Sequence, residues 1–418
     1  MSEITTMVKS ITSVQSSELK GKRVIVRCDF NIQVFGGKIL DDLRIRKTLP
    51  TISYLRNAGA KIILISHIES KDGTGLKPVC EYMNETYAKE CGVVMFVSDF
   101  QSENMPNIMA NMKDGEIAMF ENLRIDSREK NNDIEFAKLL ASYADIYVND
   151  AFAVSHRAHA SVVSLPSLFP NARFAGVQLM SELDHLKITF DAPHPFVFIL
   201  GGAKFETKLP LIQKFAQADS ILLGGALLND ILKAKGYNVG KSLVSSGMDA
   251  SGTKIDFAPI ISNPKLIIPD DVVVAGPIEG DVTGAIGTSV KLITEIGDED
   301  AIMDVGPSMN GKLADVLKDA KFILWNGPMG NYEKGFKDQT IAMAKLVTSV
   351  CERGVEAVLG GGDTTAAMAE LDLDDKENSS EESSMNSGVS AMFISTGGGA
   401  MLEYLLNETL PGVEALKN

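Results

Sequence analysis

A chain of 418 residues is longer than one hydrophobic core normally serves, so two domains of about 200 residues each are expected, with a cleft between them. A net charge of -15, from 40 basic and 55 acidic residues, excludes a nucleic-acid binder, and 45% hydrophobic residues with 23% charged excludes wholesale disorder. Any anionic substrate must be held by a local cluster of positive groups.

The first twenty residues include Glu3 and Glu18 and no apolar run, so neither a signal peptide nor a membrane helix is expected, and the cytoplasm is the default compartment. Short β-branched runs then recur at 24–28, 62–66, 117–120 and 146–149, and again at 196–200, 221–223, 266–268, 302–305, 322–325 and 355–359. Separated by helical stretches, they predict an α/β fold of two Rossmann-like lobes, each a parallel sheet flanked by helices. Residues 181–187 read as a helix ended by the prolines of Asp191-Ala-Pro-His-Pro195, which places a hinge helix at the domain boundary. The expected domains are 1–184 and 185–404, with 405–418 as a C-terminal segment. Cys28, Cys80, Cys91 and Cys351 contain no Cys-x-x-Cys pair and read as reduced, buried thiols.

One segment departs from this rhythm. Residues 371–390 carry six carboxylates against the single Lys376, then a serine-rich remainder, a composition that predicts a flexible acidic surface loop. Ser379 and Ser380, followed by Glu381 and Glu382, are candidates for phosphorylation there.

Four glycine clusters follow strand-like runs in the second half: Gly201-Gly202-Ala203-Lys204, Gly224-Gly225-Ala226, Gly360-Gly361-Gly362-Asp363-Thr364, and Ser395-Thr396-Gly397-Gly398-Gly399. Each runs into a helical stretch, so backbone N–H groups and a helix N-terminus can meet a phosphate. Lys204 and Lys208, four apart, fall on one helix face. Asp363 suits Mg²⁺, which takes one or two carboxylates plus phosphate oxygens, and equally suits the N-cap of a helix beginning near Thr364. Gly236-Tyr-Asn-Val-Gly240-Lys241-Ser242 is one residue short of a P-loop and follows a helix, which removes a Walker-type site. No Rossmann dinucleotide fingerprint is present, which counts against a dehydrogenase.

In the first half Arg44, His67, Arg124 and Arg157 sit at strand ends or in loops that a parallel sheet gathers at one edge, where they can bind a phosphate and a carboxylate together. Asp29 and Asn31 end the first strand on that edge. His156 and His159 bracket Arg157 without a third metal ligand, so they are expected to form a hydrogen-bonded polar cluster that orients it.

Over nearly its whole length the chain resembles the phosphoglycerate kinase family. The N-terminal half carries Arg27-Cys-Asp29-Phe-Asn31, Asp42-Leu-Arg44, Glu121-Asn-Leu-Arg124, Val148-Asn-Asp150 and His156-Arg-Ala-His159. The C-terminal half carries Gly201-Gly-Ala-Lys204, Trp325-Asn-Gly-Pro328, Gly360-Gly-Gly-Asp363-Thr364 and Ser395-Thr-Gly-Gly-Gly399. The resemblance implies reversible transfer from 1,3-bisphosphoglycerate to ADP, giving 3-phosphoglycerate and ATP, by a monomer whose partners are these small molecules. It assigns Asp29, Asn31, Arg44, His67, Arg124 and Arg157 to the triose. Lys204, Lys208, Gly224, Gly225, Gly306, Asn326, Glu333, Gly361, Gly362, Asp363 and Thr364 fall to the nucleotide, and Asp363 to Mg²⁺. Residues 405–418 are expected to return to the N-terminal lobe.

The acceptor's carboxylate is already ionised, so no general base is expected. Arg44 and Lys208 should neutralise the transferring group, aided by the amides of Gly362 and Gly397, as the lobes close about residues 181–195. Four departures from the family pattern stand out. Ser70 replaces an arginine in His67-Ile-Glu69-Ser70; the adjacent Lys71 can partly substitute, but Glu69 adds negative charge, so weaker triose binding is expected. Thr207 replaces an aspartate, Ala226 a glycine, and the acidic segment is longer. Together these raise the alternative of a catalytically weakened relative kept for binding or regulation.

Overall fold

The computed structural model describes residues 8–70, 73–249, 251–277, 286–378 and 391–417. Two units are distinguished by their internal contacts: Met1–Lys187 with Gly399–Asn418, and Ile188–Gly398.

The first unit is organised by β1 (Arg23–Arg27), β2 (Lys61–Ile65), β3 (Val94–Val97), β4 (Ile117–Phe120), β5 (Ile146–Asn149) and β6 (Arg173–Ala175), in spatial order β3-β4-β2-β1-β5-β6. All neighbours are parallel, with Val24 of β1 opposite Ile62 on one side and Ile146 on the other. Because both faces of such a sheet are covered, its central strands are apolar throughout instead of alternating. Val24, Val26, Ile62 and Leu64 pack with Ile45, Ile52 and Leu55 in one core cluster. Those last three lie on α1 (Leu43–Asn57), where buried residues recur every three to four positions and so face the sheet as a stripe. Each such fully buried aliphatic side chain contributes about 1.5–3 kcal/mol.

The helix α2 (Val177–Ile188) ends where the first unit gives way to the second. Its first turn is satisfied by side chains from elsewhere: Asp150 Oδ1 accepts from the amides of Gln178 at 2.9 Å and Leu179 at 3.2 Å, and Thr51 Oγ1 accepts from Val177 at 2.9 Å. The C-terminal segment belongs to this unit too. Gly412 donates to the Ser155 carbonyl at 2.8 Å, and the rings of Phe152 and Tyr404 meet edge to face at 6.3 Å.

The second unit repeats the plan with β7 (Phe196–Leu200), β8 (Ser220–Leu223), β9 (Leu266–Ile267), β10 (Phe322–Asn326), β11 (Glu356–Gly360) and β12 (Met392–Ile394), in order β9-β8-β7-β10-β11-β12 and again parallel. One expectation is corrected. The run at 302–305 joins no parallel sheet; the strand Ala301–Val305 pairs antiparallel with Asp271–Pro277, which also pairs with Ile286–Leu292. Val272 and Val274 are buried while Val290 and Leu292 are exposed, the one-sided burial that an antiparallel sheet tolerates.

The acidic segment expected as a loop begins as helix: α5 (Gly362–Asn378) runs into it, and 379–390, with Ser379 and Ser380, lies outside the described residues. Among the described residues no helix is long and apolar enough to cross a membrane. All four cysteines are free and buried.

Asp150 generates a prediction. Burial pushes its carboxyl up to about 7, against the opposing bonds from Thr51 and the α2 amides. A folded-state value above the unfolded one means that stability is fully present below about pH 4 and is lost as pH rises to about 7. Asp150→Asn keeps the acceptor for α2 and removes the titration. Denaturant unfolding should show this variant gaining on the wild type by a few kcal/mol between pH 4.5 and pH 7.5; a pH-independent difference would remove Asp150 from the account.

Candidate active site

Parallel pairing sends the loops after β1, β2, β4 and β5 to one edge of the first sheet. Asp29 and Asn31 follow β1, His67 follows β2, Arg124 lies in the turn Leu123–Ile125 after β4, and Arg157 lies beyond β5. Arg44 stands in the first turn of α1. Its Nη1 is 3.1 Å from Asp29 Oδ2 and donates to the Asn31 carbonyl at 2.8 Å. Asn31 Oδ1 in turn accepts from the Glu69 amide at 2.8 Å, tying the loops after β1 and β2 together.

A residue not singled out from the sequence lies beneath this group. The guanidinium of Arg27, fully buried, donates from Nε to Ser161 Oγ at 2.8 Å, from Nη1 to the Cys28 carbonyl at 2.5 Å, and from Nη2 to His67 Nδ1 at 2.9 Å. A guanidinium has donors only, so His67 Nδ1 is the unprotonated acceptor and the ring proton sits on Nε2. Burial, reinforced by Arg27, pushes the imidazole far below its ordinary pKa, and the ring is neutral. Ser161 passes the contact on: its hydroxyl donates to Glu129 Oε1 at 2.6 Å and its amide to Oε2 at 2.9 Å. A buried carboxylate thus balances a buried guanidinium through one hydroxyl.

The expected cluster around Arg157 differs from what is found. Arg157 is exposed, and among the described residues no side-chain hydrogen bond joins it to His156 or His159, whose Nδ1 atoms are buried without a partner; the one link is the His159 amide donating to the Arg157 carbonyl at 2.9 Å. Burial lowers both imidazoles, His159 to about 4 with Arg124 as the next cause, so both are neutral at pH 7. Among the described residues no group of His, Cys, Asp and Glu has metal-binding geometry. Arg124 is bound by the carboxylate of Glu69, and the Ser70 hydroxyl donates to the Thr74 carbonyl at 2.8 Å.

In the second unit the glycine turns follow β7, β8, β10, β11 and β12 and share one edge for the same reason. Lys208 is the centre of that edge. It lies on α3 (Phe205–Lys214), is buried, and its Nζ donates to the Gly201 carbonyl. A side chain at Gly202 or Gly327 would come within 2.8 or 2.9 Å of Nζ, and both glycines hold positive φ, so bare backbone encloses the ammonium. Burial lowers Lys208 to about 8, with Asp363 opposing. Lys204 differs from the expected shared face: it is the N-cap of α3 and exposed.

Asp363 lies in the first turn of α5, which begins at Gly362, and not at its N-cap. Its carboxyl is raised by burial and then by Glu333, with Lys208 opposing. Thr364 Oγ1, buried, accepts from the Gly327 amide at 3.1 Å. Asn326 closes β10, Gly224 is the N-cap of α4 (Gly225–Ala234), and Gly397 precedes α6 (Gly398–Asn407), its amide donating to Ser395 Oγ at 3.2 Å. Gly225 (φ +60) abuts Gly202, and Gly306 abuts Asp271, leaving no room for a side chain at either. A cavity of about 420 Å³ opens here, lined by Gly202, Gly225, Ala226, Asn229, Glu333 and Asp363 among others. The Gly240-Lys241-Ser242 run is structural: Lys241 pairs with Glu299, and Ser242 Oγ accepts from Ile302 at 2.8 Å.

The geometry defines a class of protein: α/β units in which cationic or glycine-rich loops collect at the carboxyl edge of a parallel sheet. The comparisons narrow it. The profile of the family described as phosphoglycerate kinase matches residues 14–408. A phosphoglycerate kinase of Dictyoglomus turgidum is 38% identical over 423 aligned positions, covering 98% of this chain and 99% of its own. One from a Wolbachia of Culex pipiens is 37% identical over 415, covering 97% and 99%. The solved phosphoglycerate kinases of Coxiella burnetii (TM-score 0.75, 30% identity) and Pyrococcus horikoshii (TM-score 0.76, 27% identity) each superpose over 98% of both chains. The chain belongs to the phosphoglycerate kinase family.

The His67 assignment can be read directly. Long-range ¹H–¹⁵N spectra should show His67 neutral from pH 8 down to pH 5 with its proton on Nε2; titration near pH 6.5 would contradict the Arg27 bond.

Proposed function

We propose that this protein transfers a phosphoryl group reversibly between 1,3-bisphosphoglycerate and ADP, the triose on the first unit and the nucleotide in the cavity of the second. The observation that carries the nucleotide half is Lys208: an ammonium buried among glycine backbone, with Asp363 as its charged neighbour among the described residues, gains most from an arriving phosphate.

On the triose side Arg44 and Arg124 offer guanidinium groups to phosphate and carboxylate, and His67 offers a neutral Nε2–H donor. In the ATP-consuming direction the nucleophile is the substrate carboxylate, ionised at pH 7 without help, so the histidines have no proton to take. What remains is positioning and charge stabilisation, the general demand of phosphoryl transfer. Arg44 neutralises the transferring group from the triose side, Lys208 from the nucleotide side, and the Gly362 amide adds a donor, while that of Gly397 is taken by Ser395 Oγ until a ligand replaces it.

The residues at Asp363 fit Mg²⁺. A half-buried carboxylate beside Glu333 is raised by burial and by that like charge, which a hard cation relieves, and a single carboxylate leaves the remaining positions to phosphate oxygens and water. When bound, the ion supplies charge neutralisation of the nucleotide phosphates. Transfer between substrates held on separate units requires those units to close and exclude water, in a monomer of the cytoplasm.

A coupled assay with ATP and 3-phosphoglycerate tests the reading. The wild type should turn over, and Arg44→Ala and Lys208→Ala should each lower kcat by about 10²–10³. A wild type without turnover would favour the binding or regulatory alternative, and variants with near-normal kcat would remove the two cations from the mechanism.

A further inference from the structure

Arg124 and Glu69 form an ion pair between two loops that leave the same sheet edge, after β4 and β2. The partners are unequal. The Arg124 side chain is only 10% exposed, whereas that of Glu69 is 63% exposed, so the guanidinium is fixed and the carboxylate is the end that can swing away. The Glu69 backbone is anchored by its amide bond to Asn31 Oδ1, so release of the carboxylate needs only side-chain rotation.

Arg124 also has unmet demand for an anion. Its Nε is buried without a hydrogen-bond partner among the described residues, and the buried Arg27 guanidinium adds positive charge nearby. The adjacent position supplies no second cation, because Ser70 turns its hydroxyl to the Thr74 carbonyl. Glu69 Oε1 holds Arg124 Nη1, so an anionic ligand oxygen that approaches that donor has to displace it.

We propose that Glu69 is a built-in competitor for the substrate: its carboxylate holds Arg124 until an anionic group of the triose displaces it, and this exchange sets triose affinity without entering phosphoryl transfer. The inference rests on the triose site proposed above and assigns Glu69 a specificity-determining role there. Breaking a half-exposed pair costs little, yet the displaced carboxylate stays close to a multiply charged ligand and repels it. Removing the charge while keeping the shape should therefore tighten binding by about five- to tenfold.

The test compares wild type, Glu69→Gln and Glu69→Asp in two arms. In calorimetry, 3-phosphoglycerate should bind Glu69→Gln about five- to tenfold more tightly than wild type, with Glu69→Asp near the wild type because it retains the charge. In the coupled assay, Glu69→Gln should lower KM for 3-phosphoglycerate by the same factor, with kcat and KM for ATP within about twofold. Equal or weaker binding by Glu69→Gln, no binding heat in any of the three, or a change of the same size in KM for ATP overturns the proposal. A wild type that binds the triose but does not turn over would sink the proposed function alone, since the calorimetric arm still reads the competition.

Discussion

Parallel pairing makes every strand of a sheet end on one edge, and on that constraint the rest of this protein depends. The chain carries a net charge of -15, so a general positive field cannot draw in an anion; the attraction must be made locally. Each sheet does so at its carboxyl edge by different means. The first collects arginine side chains after β1, β4 and β5 with an imidazole after β2, and the second collects glycine turns around the Lys208 ammonium. In both, the core behind the edge is apolar and rigid, which fixes the geometry that phosphoryl transfer needs.

Buried cations are costly, and the two units offset that cost in opposite ways. Arg27 is satisfied within the protein, by Ser161, Cys28, His67 and, through Ser161, Glu129. It is a fixture that sets the tautomer of His67, and nothing needs to bind for it to be stable. Lys208 is satisfied only in part among the described residues, by the Gly201 carbonyl and the charge of Asp363, and burial lowers it to about 8. In the proposed function that deficit is what an arriving phosphate removes. Arg124 lies between the two cases, since its anion is supplied by Glu69 on an exposed and movable side chain.

Much of this was legible in the sequence because central parallel strands are apolar on both faces: the runs at 24–28, 62–66 and 322–325 coincide with strands to within a residue or two. Three of the four edge strands of these two sheets were not. Val94–Val97, Arg173–Ala175 and Met392–Ile394 are short and half-exposed, so they lack that signature. In the antiparallel trio the run at 302–305 was read as a strand but given the wrong pairing, and Asp271–Pro277 and Ile286–Leu292 were missed for the related reason that their burial is one-sided. Of the site, glycine turns could be read from composition because positive φ and close backbone approach demand glycine at Gly202 and Gly327. The Arg27–His67 contact and the Glu69–Arg124 pair join residues far apart in the chain, and no local pattern announces them. The cluster expected around Arg157 failed in the opposite way, since adjacency in sequence gave a backbone contact and no side-chain hydrogen bond among the described residues.

The central claim is that charge, and no protein base, carries the transfer. The pH dependence of kcat/KM for the nucleotide tests it most directly, because the free enzyme's groups are read there. Lys208, lowered to about 8, should give a falling limb above pH 8 as its ammonium is lost, shifted or abolished in Lys208→Arg. Any acid limb should belong to the substrate phosphates and persist when His67, His156 or His159 is replaced by Asn. An acid limb that disappears with one of those histidines would identify a protein base and contradict the account.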